Sequence, residues 1–595
     1  MLVNRIRARK ALSLIKNGEL EILVEKIKNT IRKEQISYGE NYVHSLTETE
    51  LYNQRSFKFK YEPLISIIVP VYNPSLLFLE KMLESVLSQT YKHWELCLAN
   101  AGNDVAVKRM LTRYSRYDER IKLLQLTYNG GISENSNAAL NVAKGDFFAL
   151  LDHDDTLMPN ALYEIVKEIN QTPGVDLIYS DEDKVKDENK VTTYFDPFFK
   201  PDWSPYFFLG FNYLCHLTAF SKSLLANVGL FQKEYDGAQD YDLFLRLSEK
   251  ANIIKHIPKV LYNWRVHANS TAMDLGAKPY AIEAGRKALE AHALRSKIQA
   301  TINSIDNTTI YRFRFNLVDS PKVSIIIPNY NGYEMLEKCI SSIIKKTTYK
   351  NYEILIIENN SNDQNLFRYY QQISNAYSFI KVLDYGKGKE FNYSNLNNWG
   401  RKFATGDYLL LLNNDTEIIS NDWLESMLEY AQRDDVGCVG ARLLYDDNTI
   451  QHTGMVLGIF GGAGHSFIHS SDNYPGYFSN LTVTREFSAV TGACLMVSTK
   501  LYDKVGGLEE KLAVEYGDVD FCLKMLEMGK VNLVVPYAKL YHYESKTRGF
   551  DDSPKKQARV LSEKTFFVNR WHDYLEKDPY YNVNLSLLSN NYSLK

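Results

Sequence analysis

At 595 residues the chain is too long for one ordinary hydrophobic core, and its length implies roughly two to four domains. A formal net charge of −3, with 45% apolar and 24% charged residues, describes a globular protein without the basic field that nucleic-acid binding uses, so no nucleic-acid partner is expected. The six cysteines, Cys97, Cys215, Cys339, Cys438, Cys494 and Cys522, show neither paired metal-ligand spacing nor a dense disulfide pattern, which fits a reducing cytoplasm.

The first stretch, MLVNRIRARKALSLIKNGEL, is basic but has no uninterrupted apolar run before a small-residue cleavage site, and no run in the chain approaches the ~20 apolar residues of a membrane span. Residues 1–60 are expected to form a helical, amphipathic extension of a cytoplasmic protein. Its basic residues have two readings: peripheral contact with the anionic cytoplasmic face of the inner membrane, or an ordinary solvated helix face.

An internal repeat follows. PLISIIVPVYN (Pro63 to Asn73) and SPKVSIIIPNYN (Ser320 to Asn331) are one phrase written twice, with Pro70 and Pro328 lying 258 positions apart. Each is a β-branched run suited to a strand buried on both faces. In each copy come next a helix-like segment, a second apolar run (WELCLANAGND or YEILIIENNSND), a small-residue helix, a Gly-Asp turn and a further buried strand. Strand, helix and strand at this spacing predict a right-handed parallel unit, and the polar strand ends should gather at one sheet edge. Between the copies, Lys278 to Ala300 is predicted to be a connecting helix. After the second copy come a further helix and an irregular tail.

The last of these strands ends in acid. ALLDHDDTLMP (Ala149 to Pro159) returns as LLLLNNDTEI (Leu409 to Ile418) with asparagine at two of the polar positions. Carboxylates at a sheet edge can hold a hard divalent cation, and strand alternation, if it continued, would put Asp152 and Asp154 on one side. The alternative is that Asp154 and Asp155 only cap a following helix.

These ordered motifs resemble the family 2 glycosyltransferases, over roughly Leu64 to Thr271 and Val323 to Gly549. The resemblance implies an α/β fold of two tandem GT-A domains, Rossmann-like and nucleotide-sugar-binding, with helical N-terminal and C-terminal extensions. The divisions are 1–60, a first GT-A domain at 61–275, a connecting helix and linker at 276–305, a second GT-A domain at 306–552, and a C-terminal helix and tail at 553–595. LDHDD looks like the family's DXD motif, and LNNDTE like the variant of rhamnosyltransferase-like enzymes. Asp154 and Asp415 would then contact Mn²⁺ or Mg²⁺, with Asp152 and Asn413 near the nucleotide ribose.

In the same family the first Asp of GAQDYDLFLRL and EYGDVDFCLKM is the general base, here Asp240 and Asp518. The competing reading makes these acids helix caps, with Asp242 and Asp520 simple N-terminal acids. Gln239 and Gly517 stand where the family usually has Glu, and Glu515 is an alternative to Asp518. A histidine after each base motif, His267 in YNWRVHANSTA and His542 in YHYESKTRG, would complete the metal or diphosphate site, unless it is an ordinary surface or core histidine. Arg265 and Arg548 lie nearby and suit phosphate oxygens.

The resemblance also assigns a nucleotide pocket to Pro70, Tyr72, Asn73 and Asn100 in copy one, and to Pro328, Asn329 and Glu358 in copy two. Glu358 would accept the imide N–H of uracil or thymine, and Asn100 offers an amide oxygen instead. Asn129, Ser133 and Asn137, approximately matched by Asn392, Ser394 and Asn398, are expected either to orient the diphosphate or to cap a helix. His216 and the segment Thr491 to Ala493 precede the base motifs where the family shapes its sugar sites. IQHTGMVLG and GGAGHSF resemble the rhamnosyltransferase-like subgroup.

The expected activity is that of a bifunctional, metal-dependent, inverting hexosyl- or rhamnosyltransferase. It would use UDP- or dTDP-sugars and build a bacterial capsule, O-antigen or cell-wall glycan on an oligosaccharide or lipid-linked acceptor. The alternative keeps one copy catalytic and makes the other a glycan-binding or structural module. A glycoside hydrolase would not need a repeated metal motif at a nucleotide-type sheet edge. A nucleotidyltransferase would bring a glycine-rich phosphate loop that the strand ends lack.

Overall fold

A computed structural model describes residues 46–188, 191–267, 279–386, 388, 390–543 and 553–595. Most of the expected N-terminal extension, and Arg548, lie outside the described residues. The chain divides into two compact units, the first ending at Phe313 and the second beginning at Arg314.

The first unit is built on β1 (Ile65–Val71), β2 (Trp94–Asn100), β3 (Ile121–Gln125), β4 (Phe147–Leu150), β5 (Thr156–Leu157), β6 (Leu177–Glu188), β7 (Val191–Phe198), β8 (Thr218–Ser221) and β9 (Ile254–Arg265). The sheet order is β3-β2-β1-β4-β8-β6-β9-β5, with β7 paired to β6. β1 is buried at every position, as its continuous apolar run requires, because helices such as α1 (Leu76–Leu87) cover the sheet. It runs parallel to β2 on one side and β4 on the other, so the strand order reverses there. The β1–β4 ladder stops at Ile68 and Leu150 while β1–β2 continues through Pro70, opening a crevice at that switch point. Two helices border it, α2 (Ile132–Val142) and α4 (Gln239–Ser248), while α3 (Ala161–Gln171) follows the acidic phrase and packs on β9. The helix predicted within Lys278 to Ala300 is α5 (Pro279–Arg295), and it packs on α4.

Two short strands, β10 (Ala300–Ser304) and β11 (Tyr311–Phe315), precede the second sheet. That sheet repeats the plan with β12 (Val323–Asn329), β13 (Tyr352–Glu358), β14 (Ile380–Asp384), β15 (Tyr408–Leu412), β16 (Thr416–Ile418), β17 (Val436–Leu444), β18 (Ile450–His452), β21 (Arg485–Phe487), β22 (Cys494–Ser498) and β23 (Val531–His542); β19 (Met455–Leu457) and β20 (Ala463–His465) form a separate ribbon. Its order, β14-β13-β12-β15-β22-β17-β23-β16, has the same reversal at β12, where the ladder to β15 stops at Ile326 and Leu411. The helices used below are α6 (Tyr393–Arg401), α7 (Gly517–Glu527) and α8 (Pro554–Arg570). The tail beyond α8 is largely irregular, with one isolated bridge between Leu585 and Leu594, yet Tyr581, Leu585 and Tyr592 are buried.

The Gly-Asp turns have a packing cause. A Cβ on Gly145 would lie 2.5 Å from Ser66 Oγ and 2.7 Å from the Leu64 carbonyl; on Gly406 it would lie 2.6 Å from Ser324 N and 2.7 Å from the Lys322 carbonyl. The next residues, Asp146 and Asp407, accept the Leu64 and Lys322 N–H groups at 2.9 Å. Each turn thus fastens β4 or β15 to the central strand of its sheet, which fixes where the acidic phrase emerges.

Candidate active sites

β4 ends at Leu150, so Asp152 and Asp154 lie in the turn beyond it and strand alternation does not govern them. The helix-capping alternative is also corrected: α3 starts at Ala161 behind Asn160, and the Asp155 carboxylate instead accepts the Tyr262 hydroxyl at 2.5 Å and the Arg265 N–H at 2.7 Å. Burial, with Asp152 and Asp154 alongside, holds the Asp155 carboxyl well above the usual range. Asp154 Oδ2 faces His267 Nε2 at 2.9 Å. Arg265 is buried: its Nε donates to the Asp154 carbonyl at 2.6 Å, its Nη1 pairs with Asp187, and its guanidinium lies 4.8 Å from the Phe78 ring. It therefore supports the acidic turn from behind. His153 at the centre of the turn approaches the Pro70 carbonyl at 3.3 Å.

In the second unit Asp415 Oδ1 faces His542 Nε2 at 3.3 Å, and Asn413 Nδ2 lies 3.3 Å from the same nitrogen. Asn414 donates to Asn329 Oδ1 at 2.6 Å, tying this turn to the central strand as His153 ties the first. The histidines, expected as repeats of one another, arrive from different strand positions. His542 is the last residue of β23 and pairs with Thr416, beside Asp415, whereas β9 ends at Arg265 and His267 follows it.

Asp240 and Asp518 are each the second residue of a helix, α4 and α7, whose N-cap positions are Ala238 and Tyr516. Asp240 Oδ1 accepts the Tyr241 N–H at 2.8 Å. Asp518 Oδ2 accepts the Gly492 N–H at 2.7 Å, which brings the Thr491 to Ala493 segment against it. The companion acids are buried ion-pair partners: Asp242 lies 2.7 Å from Arg246 Nη2, and Asp520 lies 3.1 Å from Lys524 Nζ. Gly517, the departure from the family pattern, allows a close approach: a Cβ there would sit 2.8 Å from Ser394 Oγ. Glu515 donates its N–H to Glu563 on α8 at 2.7 Å.

In the first unit Pro70, Asp152, Cys215, His216, Gln239 and Asp240 border one crevice. His216 stacks on Tyr262 with ring centroids 4.6 Å apart and bonds to Glu182. Burial would lower its pKa, but Glu182, Asp152 and Asp155 push the imidazolium up to about 9. Fully buried Lys200 donates to the His216 carbonyl at 2.7 Å and pairs with Glu182 at 3.5 Å. In the second unit His452 takes a different role: its Nε2 accepts N–H groups from Gly454 at 3.3 Å and Thr491 at 3.4 Å, and its Nδ1 meets His465 Nδ1 at 2.9 Å. Burial, with His465 and His542 nearby, keeps His452 neutral, well below the ordinary histidine range.

The Asn and Ser residues left open between diphosphate binding and capping mostly hold the segment leading to α4 or α7. Asn137 exchanges two bonds with the Phe231 backbone at 2.8 and 2.9 Å, and Asn398 does the same with Leu508 at 3.0 Å each. Ser133 Oγ reaches the Gln232 carbonyl at 3.3 Å and Ser394 Oγ the Leu512 carbonyl at 2.7 Å. Asn392 is the one that caps, accepting the Asn395 N–H at 2.8 Å, while Asn129 accepts from Gly131 N at 3.1 Å.

At the edge expected to hold the nucleotide, Tyr72 is 48% exposed, and Asn73 and Asn331 turn the chain with left-handed φ of 46° and 49°. Asn100 is buried, accepting the Gly102 N–H at 3.1 Å and donating to Gln125 at 2.8 Å. Glu358 accepts Ser361 N–H at 2.6 Å and the Tyr370 hydroxyl at 2.6 Å; Asn329, after Pro328, donates to that same hydroxyl at 2.8 Å. Sequence reasoning overlooked Glu182, Lys200 and the bonding of His452 to Thr491, because long-range partners leave no local spacing. All six cysteines are unpaired thiols, and among the described residues no helix is long and apolar enough to cross a membrane.

Two mixed sheets, each opening at a switch point beside an acidic turn, define tandem GT-A domains. Glycosyl transferase family 2 matches residues 66–229 and 324–506, more than half of the chain, and the chain belongs to that family. It is similar to "Uncharacterized protein y4gI" of Sinorhizobium fredii, 42% identical over 89% of this chain and 58% of that one. It is also similar to "O-antigen biosynthesis protein RfbC" of Myxococcus xanthus, 33% identical over 90% of this chain and 41% of that one. The chain therefore spans about half the length of these curated relatives. Among solved structures it resembles S. aureus TarS 1-349 in complex with UDP-GlcNAc, at 21% identity and TM-score 0.33, covering 40% of this chain and 68% of that chain.

Proposed function

We propose that the chain is a bifunctional inverting glycosyltransferase whose two units each transfer a hexosyl or rhamnosyl group from a UDP- or dTDP-sugar. The acceptor is a growing bacterial surface glycan, of the capsule, O-antigen or cell-wall class, presented as an oligosaccharide or on a lipid at the cytoplasmic face of the membrane. One observation carries this reading: each unit sets an aspartate against a histidine in its acidic turn, Asp154 with His267 at 2.9 Å and Asp415 with His542 at 3.3 Å, with an aspartate starting the helix beyond.

The donor set fits a divalent cation held jointly with substrate. Among the described residues no group of three or more His, Cys, Asp or Glu could hold an ion, so each unit offers one carboxylate and one imidazole. Mg²⁺ or Mn²⁺ there would take its remaining ligands from diphosphate oxygens and neutralise the charge on the leaving group. Asp154 with His267, and Asp415 with His542, would hold it. Asp152 and Asn413, two residues earlier, orient the ribose. Asp240 and Asp518 take the proton of the acceptor hydroxyl as that oxygen attacks the anomeric carbon opposite the departing diphosphate. The Gly492 N–H keeps the Asp518 carboxylate oriented for that role. In the first unit the His216 imidazolium beside Asp152 adds positive charge to the crevice.

The test is transfer by the full chain from a panel of nucleotide sugars to acceptor glycans, with Asp240→Asn and Asp518→Asn made separately. Each variant should lose one transfer and keep the other. A variant that retains both removes its unit from the catalytic assignment.

A further inference from the structure

Two helices assigned to a linker and to a C-terminal extension are alike in their setting. α5 and α8 both end in arginine, at Arg295 and Arg570. Each packs beside the base helix of its own unit. Arg295 Nη1 lies 3.8 Å from Asp242 Oδ1, and Arg570 Nη1 lies 3.1 Å from Asp520 Oδ1. Asp242 and Asp520 each follow a candidate base by two residues, are completely buried, and already pair with a cation one turn on, Arg246 or Lys524. In both units, then, a buried carboxylate is held between a cation of its own helix and the terminal arginine of the next.

We infer that α5 and α8 are a third element of the duplicated plan, and that Arg295 and Arg570 are positioning residues for the candidate bases Asp240 and Asp518.

Helix geometry supplies the mechanism. Residues two apart lie about 200° apart around the axis, so a grip on Asp242 or Asp520 fixes which way Asp240 or Asp518 faces on the opposite side. A buried carboxylate is stable only while its charge is met, so loss of one cation forces the first turn to move or admit water. Burial pushes the Asp242 carboxyl above its ordinary range, and Arg246 and Arg295 act against that. Further grips in the second unit point the same way: Phe567 stacks on Tyr516, with centroids 4.5 Å apart, and Trp571 Nε1 donates to Asp520 at 2.9 Å. Each arginine has one further acidic partner, Glu249 for Arg295 and Glu509 for Arg570.

The role as positioning residues rests on the proposed bases; the mechanical grip does not, so the experiment reads both. Amide hydrogen exchange is followed across 239–245 and 517–523 in the full chain, for Arg295→Ala, Arg570→Ala, the corresponding Lys variants, and Glu249→Gln as a control. Arg295→Ala should speed exchange across 239–245 about tenfold and leave 517–523 unchanged, with Arg570→Ala giving the reverse. Lysine should restore most of the protection, and Glu249→Gln should leave 239–245 as in the parent. In transfer assays, each alanine variant should lower kcat of its own unit with donor KM unchanged. Unchanged exchange in both alanine variants, loss in both helices at once, or an equal effect of Glu249→Gln overturns the grip. Altered exchange with unaltered kcat overturns the positioning role while leaving the grip intact.

Discussion

Glu353→Gln should loosen the strand that carries the second acidic turn, and by an amount that depends on pH. The Glu353 carboxylate is buried, with Oε1 accepting the Thr405 N–H at 2.8 Å and the Thr405 and Ser324 hydroxyls at 2.7 Å each. Oε2 pairs with Lys381 at 3.2 Å and Lys322 at 3.3 Å. Burial alone would raise this carboxyl, but the bonds to Thr405, Ser324 and Lys381 hold it down to about 2, from an ordinary 4.5. Because the folded value is depressed, the stabilisation is present above about pH 4.5 and is lost as pH falls towards 2. The shift corresponds to ~3 kcal/mol at neutral pH, with roughly half remaining near pH 3. Glutamine keeps an acceptor for Thr405 and Ser324 but turns an amide towards two lysines, so a loss of ~2–3 kcal/mol is expected at pH 7. Hydrogen exchange of β12, β13 and β15 in the full chain, at pH 7 and at pH 3.5, isolates this unit without assuming two-state unfolding. A difference between parent and variant that is the same at both pH values would refute the assignment to an ionised carboxylate.

Three shorter predictions follow from the same geometry. Gly406→Ala places a methyl 2.6 Å from a backbone nitrogen, and Gly145→Ala one 2.7 Å from a carbonyl; each should cost ~2–4 kcal/mol and lower the melting temperature seen by calorimetry, and an unchanged transition would mean the turns relax freely. Arg265→Lys removes the planar support behind Asp154 and should weaken Mn²⁺ uptake at the first unit about tenfold, ~1.4 kcal/mol, in titrations followed by paramagnetic resonance; equal loss in an Arg265→Lys, Asp154→Asn double variant and in Asp154→Asn alone would confirm a shared path. Asn137→Ala and Asn398→Ala each unpair a backbone N–H and C=O ahead of α4 or α7, so faster exchange at Phe231 or Leu508 and ~1–3 kcal/mol of local destabilisation are expected, confined to the altered unit.

Much of the architecture was readable because it is written in continuous apolar runs. β1 and β12 are buried at every position, and the same phrase occurring twice announced two sheets of one kind. The resemblance implied that His267 and His542 would complete the site at the acidic turn, and the structure sets Asp154 against His267 and Asp415 against His542. What local pattern misrepresented was direction. Arg265 is charged and stands two residues before His267 in the sequence, which suggested a phosphate ligand, but its fate depends on Asp187 and Phe78, distant in sequence. Asp154 and Asp155 precede a helical segment, which suggested capping, but the intervening β5 and Asn160 consume that distance. Asn137 and Asn398 have the composition of ligand-binding residues and serve backbone groups roughly a hundred positions away.

The unequal arrival of the two histidines bears on how the halves of this chain have been able to drift apart. His542 belongs to the strand ladder, whereas His267 stands beyond the end of its strand, yet both present an Nε2 to the aspartate of the turn. The constraint therefore falls on the delivered atom and leaves its address along the chain free to slide. Laying one half over the other residue by residue would pair His542 with a neighbour of Arg265 and overlook its counterpart. An exchange of parts between the halves would have to carry turn, strand and histidine together, because a graft of the histidine alone would deliver the nitrogen to the wrong place.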